Sequence, residues 1–254
     1  MLHLAPKTHT EGARLLHPRS ISLLNAHFAA RPTEELLDYV LSGALGRIAL
    51  VSSFGAEAAV LLHLAARVAP ATPVFFLDTA LLFPETLDYQ RRLAAHLNLS
   101  DTRTLRADTT RTDPDNALHA TDPDACCALR KTAPLDAALT GFDGWITGRK
   151  RFQSGRRATL DIFETTGPDG RIKINPLAHW TAADIARHFD THALPRHPLV
   201  AQGYGSIGCA PCTTPTGPGE DPRAGRWRGT AKDECGLHIE NGRLVRTQPQ
   251  GATP

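Results

Sequence analysis

The sequence predicts an α/β fold: a doubly wound, mostly parallel sheet followed by a Gly/Pro-rich C-terminal tail. Three observations carry this. Short apolar runs of strand length alternate with longer amphipathic runs of helix length, the pattern of a parallel sheet wrapped by helices. The chain has 254 residues, enough for one large domain with a sizeable core. The texture then changes near Pro198, and 16 of the last 52 residues are Gly or Pro. The reading divides the chain into an N-terminal helical segment (1–45), a nucleotide-binding α/β domain (46–197) and a cysteine-bearing tail or flap (198–254).

Each element has a local reason. "SISLLNAHFAA" and "PTEELLDYVLSGAL" read as helices, the second with Pro32 at its start and acidic residues in its first turn. "RIALVSS" is a short apolar run with a β-branched bias, so it reads as a buried strand. "AEAAVLLHLAARVA" has helical length and spacing. "TPVFFLD" is a second strand, "PETLDYQRRLAAHLNL" a second clear helix, and "DTRTLRA" a weaker strand. "DACCALRKTAPLDAAL" is helical at least to Pro134, and "GWITG" is a fourth strand end. "RIKINPL" looks like a further strand, and "TAADIARHFD" a helix capped by Thr181.

Charge excludes some classes. Lys and Arg number 28 against 26 Asp and Glu, a formal net charge of +2. Global charge therefore gives no case for a nucleic-acid partner. The apolar region from Ile48 to Phe83 is cut by Glu57, Arg67, Pro70, Pro73 and Asp78, so no membrane span is expected. "MLHLAPKTHTEGARLL" lacks a sustained apolar core, so no secretory signal is expected. The expectation is a soluble, cytoplasmic protein whose cysteines serve metal or redox chemistry rather than disulfides. Whether it is a homo-oligomer is left open.

Three strand-end loops carry polar chemistry. "ALVSSFGAEAAVLLHL" is strand, Ser/Gly turn, helix. Backbone N–H groups at such a helix start can hold an anion. Ser52 and Ser53 add hydroxyls, and Gly55 allows close backbone approach. It is not a Walker loop, because no Gly-Lys-Ser/Thr follows. "FLDTALLFPETL" brings Asp78 and Thr79 to the same sheet edge. "TGRKRFQSGRR" sets Arg149, Lys150, Arg151, Arg156 and Arg157 around Gly148, Ser154 and Gly155, which suits a substrate with several negative oxygens. The bland alternatives are an ordinary βα turn and a solvated basic loop. Convergence of three loops on one face argues against them.

Five cysteines complete the pattern. Cys126 and Cys127 are adjacent, and after 81 intervening residues comes Cys209-Ala-Pro-Cys212. Neighbouring side chains on a helix point about 100° apart, which is awkward for one ion. A [4Fe–4S] cubane is larger, offers four iron corners and takes four thiolates. Lys131 lies one turn beyond Cys127, where its charge could offset thiolate charge. A rival set, Cys209, Cys212, Cys235 and His238, would suit zinc and leave Cys126 and Cys127 idle. A third reading treats Cys126 and Cys127 as small buried apolar residues. Cys235 stands apart in "TAKDECGLHIENG", beside Lys232, His238 and the cations Arg223, Arg226 and Arg228. Nearby positive charge lowers a thiol's pKa, and a mobile arm can carry the thiolate to a substrate and then to a reductant. Otherwise it is a surface thiol of no importance.

Taken together, "SSFGAEAAVL", "FLDTALLFPETL", "CC..RK", "GRKRFQSG", "GCAPCT", "GRW" and "ECGLH" resemble the assimilatory adenylyl-sulfate (APS) reductases of the thioredoxin-dependent, iron–sulfur type. The resemblance covers about residues 45–240. It implies an adenine-nucleotide α-hydrolase-like fold and reduction of adenylyl sulfate to sulfite and AMP, in sulfate assimilation and cysteine biosynthesis. It implies Cys235 as the nucleophile, forming an S-sulfocysteine that thioredoxin (or glutaredoxin) discharges. It implies a [4Fe–4S] cluster on Cys126, Cys127, Cys209 and Cys212. The turn with Ser53 and Gly55 would hold the phosphate. Arg157, Arg223, Arg226 and His238 would clamp the phosphosulfate, with Gly148 at the loop's base. Lys131 and Thr79 would lie between cluster and substrate. Sister enzymes that use 3′-phosphoadenylyl sulfate (PAPS) typically lack the four cluster cysteines, so the set here favours APS. The sequence departs from the family in having Ala80 where Gly usually follows Leu-Asp-Thr, and the adjacency of Arg156 and Arg157 leaves open which one clamps. The alternatives are PAPS reduction, an ATP-pyrophosphatase-type tRNA-thiolating enzyme, whose Ser-Gly-Gly-x-Asp-Ser turn is absent, and a non-enzymatic zinc module.

Overall fold

The computed structural model describes residues 18–153, 157–166, 170–230, Lys232 and the two-residue strands at 239–240 and 243–244. The helices are α1 (Pro18–Phe28), α2 (Thr33–Leu41), α3 (Ala58–Val68), α4 (Pro84–His96), α5 (Leu118–Thr121), α6 (Pro123–Cys127), α7 (Ala133–Ala138) and α8 (Ala182–Thr191). The strands are β1 (Ile48–Ser52), β2 (Val74–Leu77), β3 (Thr102–Leu105), β4 (Gly144–Ile146), β5 (Phe163–Thr166), β6 (Arg171–Ile174), β7 (Ile239–Glu240) and β8 (Arg243–Leu244).

Six strands form one sheet in the order β3-β2-β1-β4-β6-β5. All neighbours pair parallel except β5, which runs antiparallel to β6. Both faces are covered, which is why the inner strands read as unbroken apolar runs. Ile48 and Leu50 of β1 pack with α2, α3 and α8 residues such as Leu37, Val60 and Phe189. Ala49, one residue over, packs on the opposite face with Phe75, Leu135 and Trp145. The N-terminal helices belong to the first of these cores through Phe28, Leu36, Leu37 and Val40.

The expected alternation is present, and the cap of α8 is a full capping box: Asp184 N donates to Thr181 Oγ1 at 3.1 Å, and Thr181 N donates to Asp184 Oδ2 at 2.9 Å. Two features were not anticipated. Strand β5, "FETT", is short and polar on one side, and it forms because its edge is occupied. Asn25 of α1 accepts from Phe163 N at 2.8 Å and donates to Phe163 O at 3.0 Å, which satisfies backbone groups an edge strand would leave open. The helix expected from Asp124 to at least Pro134 is also interrupted. Asp122 caps α6 by accepting from Ala125 N at 2.9 Å, and residues Ala128–Thr132 then wind as one π-helical turn. There Ala133 N reaches back five residues to Ala128 O. The turn widens the helix between the paired cysteines and Pro134.

The turn after β2 holds Ala80 at φ 59°, the left-handed region. The Asp78 side chain stabilises this by accepting from Ala80 N at 2.9 Å. An alanine there carries strain that glycine lacks, against a smaller entropic cost of glycine in the unfolded chain. Ala80→Gly is expected to raise stability by about 0.5–1 kcal/mol, read as a higher urea midpoint at unchanged slope.

Candidate active site

A cleft of about 290 Å³ opens at the C-terminal ends of the parallel strands. It lies at the β1/β4 junction, where the strand order reverses, the place where open α/β sheets bind ligands. Ser53, Gly55, Thr79, Lys131, Gly148, Arg157, Arg223 and Arg226 all line it. Those residues are spread over 174 positions of sequence, and the fold brings every one of them to one cavity. Cys235 and His238 lie outside the described residues, as do Ser154, Gly155 and Arg156.

The floor is the turn between β1 and α3. Ser52 is committed to the turn itself, accepting from Phe54 N at 3.1 Å, so Ser53, which is exposed in the cleft, is the hydroxyl available to a ligand. Phe54 sits at φ 48° and is fully buried edge-on to Phe76, which locks the turn from below. Gly55 is packed under the backbone of residue 207, where an added Cβ would lie 3.1 Å from Ile207 O.

The cationic loop after β4 reaches the cleft with Arg149, Lys150 and Arg157, and these cations also have partners within the protein. Arg149 pairs with Glu164 of β5 and donates to Asn175 Oδ1 at 3.2 Å. Lys150 is 2% exposed and binds Glu57 Oε2 at 2.8 Å. Burial pushes its ammonium pKa down, and the Glu57 charge opposes that. Arg151 Nε donates to Leu160 O at 2.8 Å. These cations fold the loop onto α3 and β5. Arg157 faces the cleft, oriented by Gln153, whose amide is itself held on Glu57 at 2.8 Å. Lys173 of β6 also lines the cleft, almost buried beneath the Trp145 ring. The sequence reading missed it, although a lysine inside "RIKINPL", an otherwise apolar parallel strand, was the available signal.

The roof is the segment 203–230. Its described part has no long helix or strand, as its composition implied, yet it is packed. Ala210 N donates to Leu81 O at 2.7 Å, and Cys209 bridges to Leu82. Thr214 N donates to Gly225 O at 2.8 Å, and the backbone N–H of Trp227, 5% exposed, donates to Cys212 O at 3.0 Å. The glycines here permit close approach. A Cβ on Gly208 would lie 2.3 Å from the Arg226 guanidinium, and one on Gly225 would lie 2.0 Å from Thr214 O. Arg226 is sandwiched between Gly208 and the Trp227 ring, 4.4 Å from its centroid, which aims the guanidinium along the cleft wall.

The cysteines meet behind that wall. Cys126, Cys127 and Cys209 are buried and Cys212 is half-buried. Burial pushes the Cys126 thiol up. Nearby Cys209 and Cys212 push it further, while Arg130 and Lys131 oppose them. Residues of both cysteine pairs thus share one electrostatic neighbourhood. Thr79 Oγ1 lies 3.2 Å from Cys209 Sγ, so Thr79 touches the cysteine group on one side and the cleft on the other. Arg130, 1% exposed, underpins this contact: it donates to Thr79 O at 2.8 Å, to Asp113 Oδ2 at 2.6 Å and to Asn116 Oδ1 at 2.7 Å.

Four cysteine side chains gathered in one neighbourhood, three of them buried, are the donor set that an iron–sulfur cluster takes. Among the described residues the buried donors Arg130 Nε, Arg226 Nε and Trp227 Nε1 have no hydrogen-bond partner, and such donors suit an added anionic group.

The family model "Phosphoadenosine phosphosulfate reductase domain" matches residues 47–215. An adenosine 5′-phosphosulfate reductase of Mesorhizobium japonicum is 52% identical over 195 residues, 76% of each chain. One from a Chelativorans species is 50% identical over 197 residues, covering 76% of this chain and 80% of the relative. Among solved structures, the phosphoadenylyl-sulfate reductase of Candida auris superposes with a TM-score of 0.70 at 25% identity, over 80% of this chain and all of that one. The strand-end cleft, the cysteine pairs behind its wall and the matched span agree, and the chain belongs to the phosphoadenosine phosphosulfate reductase family.

Proposed function

We propose that the protein reduces adenylyl sulfate to sulfite and AMP, with Cys235 as nucleophile and thioredoxin as electron donor. The observation that carries this is the convergence of Ser53, Gly55, Thr79, Lys131, Gly148, Arg157, Arg223 and Arg226 on one strand-end cleft with Cys209 in its wall. The names of the relatives at about half identity support the substrate.

The Ser53–Gly55 turn and the N-terminus of α3 hold the nucleotide phosphate. Arg157, Arg223 and Arg226 bind the sulfonate oxygens, with His238 as a further donor. These cations stabilise the AMP that departs. The Cys235 thiolate attacks the sulfur atom. An S–S bond forms, the sulfur–oxygen bond to phosphate breaks, and AMP leaves with that electron pair. The enzyme then carries an S-sulfocysteine. A thioredoxin thiolate attacks Cys235 Sγ and sulfite leaves. The second thioredoxin thiol resolves the mixed disulfide, so two electrons pass from the dithiol to sulfur. Lys232 tethers the arm that carries Cys235. It donates to Pro123 O at 3.2 Å and pairs with Asp124, at the start of the cysteine helix α6. At about 3.6 Å per residue, the three-residue step from Lys232 to Cys235 reaches at most about 11 Å, which supports a nucleophile within reach of the cysteine group.

Cys126, Cys127, Cys209 and Cys212 would hold a [4Fe–4S] cluster, which when bound supplies a compact, thiolate-ligated charge beside the substrate. Lys131 lines the cleft and also acts on the Cys126 thiol, so it is positioned to balance that charge against the phosphosulfate. Serine at any of the four positions is expected to lower bound iron and sulfide, because an alcohol poorly replaces a thiolate.

The test traps the intermediate. Protein incubated with APS and no thioredoxin is expected to gain the mass of one SO₃ group on the peptide containing "DECGLH", and reduced thioredoxin then releases it as sulfite. An adduct on Cys126 or Cys209, or AMP release with no adduct, refutes the assignment. The same assay with PAPS separates the two substrates. Faster sulfite release from PAPS would overturn the APS reading.

A further inference from the structure

We propose that His63, His188 and His192 form a binding site for one zinc-class divalent cation, separate from the nucleotide cleft. His188 and His192 are four residues apart in "HFDTH", so α8 presents both on one face. His63 reaches them from α3. The ligand nitrogens of the three lie within 4.8 Å of one another. Their ring centroids are 4.4–5.1 Å apart. His63 Nδ1 and His188 Nε2 face each other at 3.0 Å, two lone-pair positions sharing one proton that an ion would displace. A tetrahedral ion with bonds of about 2.0–2.1 Å sets its nitrogens about 3.3 Å apart, so binding needs a modest inward movement of the rings.

At neutral pH the two shifted rings are unprotonated, as ligation requires. Burial holds the His188 imidazole down at about 4 and also lowers His63. His192 and Arg67 lower both further, His96 lowers His63, and Glu34 of α2 opposes them as the nearby negative charge. A second cavity, of about 510 Å³, is walled by His188, His192, Glu34 and Asp184 and gives an ion a route in. No residue lines both this cavity and the nucleotide cleft. Three imidazoles and one open position suit Zn²⁺, Ni²⁺ or Cu²⁺ rather than Mg²⁺ or Ca²⁺. The plainer role of the cluster is packing, since His188 also stacks edge-on against Trp180. A bound ion would add a cross-link between α3, which starts at the substrate turn, and α8.

The experiment titrates Zn²⁺ into the full-length, anaerobically purified protein, with iron and sulfide measured first. The expected result is one added zinc per chain, nitrogen-dominated coordination by X-ray absorption, and a higher melting temperature. His63→Gln and His192→Gln should each weaken zinc binding by about 100-fold while leaving the iron content and visible absorption of the parent, which reports that the variants are folded. Zinc uptake that is absent, that shows only sulfur ligands, or that persists at parental affinity in the His63→Gln/His192→Gln double variant would overturn the proposal.

Discussion

Cys235→Ser is expected to release no sulfite from APS above background while binding APS and retaining iron as the parent does. The thiolate is the only group in the proposed sequence that forms a bond to sulfur, and a serine hydroxyl is neither ionised at neutral pH nor comparably nucleophilic toward sulfur. The residues proposed to bind phosphosulfate and cluster are different ones, and eight of the binding residues line the cleft without any contribution from the arm beyond Lys232. Nucleotide affinity by equilibrium dialysis and sulfite release in the presence of thioredoxin separate the two functions. Sulfite release near the parental rate would remove Cys235 from the mechanism. Loss of APS binding together with turnover would instead make it a structural residue.

Arg130→Met is expected to be among the most destabilising single changes outside the apolar core. Removing a buried guanidinium that serves three acceptors costs on the order of 3–5 kcal/mol. Arg130 ties three separate segments together: the π-helical turn after the paired cysteines, the loop carrying Asp113 and Asn116, and Thr79 at the end of β2. Its guanidinium holds the Asp113 carboxyl below the usual carboxylate range. That linkage is present above the ordinary carboxylate pKa and is lost as pH falls through the lowered value, so the parent's advantage over the variant should shrink in acid. Because Thr79 contacts Cys209, bound iron should fall as well. The urea midpoint measures the first effect and iron analysis the second. The double variant Arg130→Met/Asp113→Leu should regain more than half of the lost stability, since it leaves no unpaired buried charge. A double variant no more stable than Arg130→Met would show that the ion pair is not what holds this region.

Much of the site was legible in the sequence for a local reason. A strand-end turn such as "SSFGAE" is set by glycine, serine and the helix that follows. A capping box needs only Thr181 and Asp184, three residues apart. Strands buried on both faces announce themselves as apolar runs. The less legible parts depend on partners far away in the chain. Strand β5 owes its place to Asn25, 138 residues away, and nothing in "FETT" states that. In "TGRKRFQSGRR" five cations look equivalent on paper, yet Glu57 and Glu164 hold Lys150 and Arg149 in ion pairs at the edge of the cleft, while Gln153 orients Arg157.

Local pattern was enough to read the α/β class, the strand–helix alternation through α8 apart from β5, eight of the cleft-lining residues and the division of five cysteines into two pairs and one. Periodicity, caps and motif spacing are properties of neighbouring residues, so no three-dimensional information is needed to read them. Only the tertiary structure decided that the Gly/Pro-rich segment as far as Thr230 is a packed roof. Gly208 and Gly225 are there because Arg226 and the Thr214 carbonyl occupy the space a side chain would fill. Only the tertiary structure brought His63 against His188 and His192 or sealed Arg130 beneath Thr79, because such contacts depend on how helices cross a sheet, which no short stretch of sequence encodes.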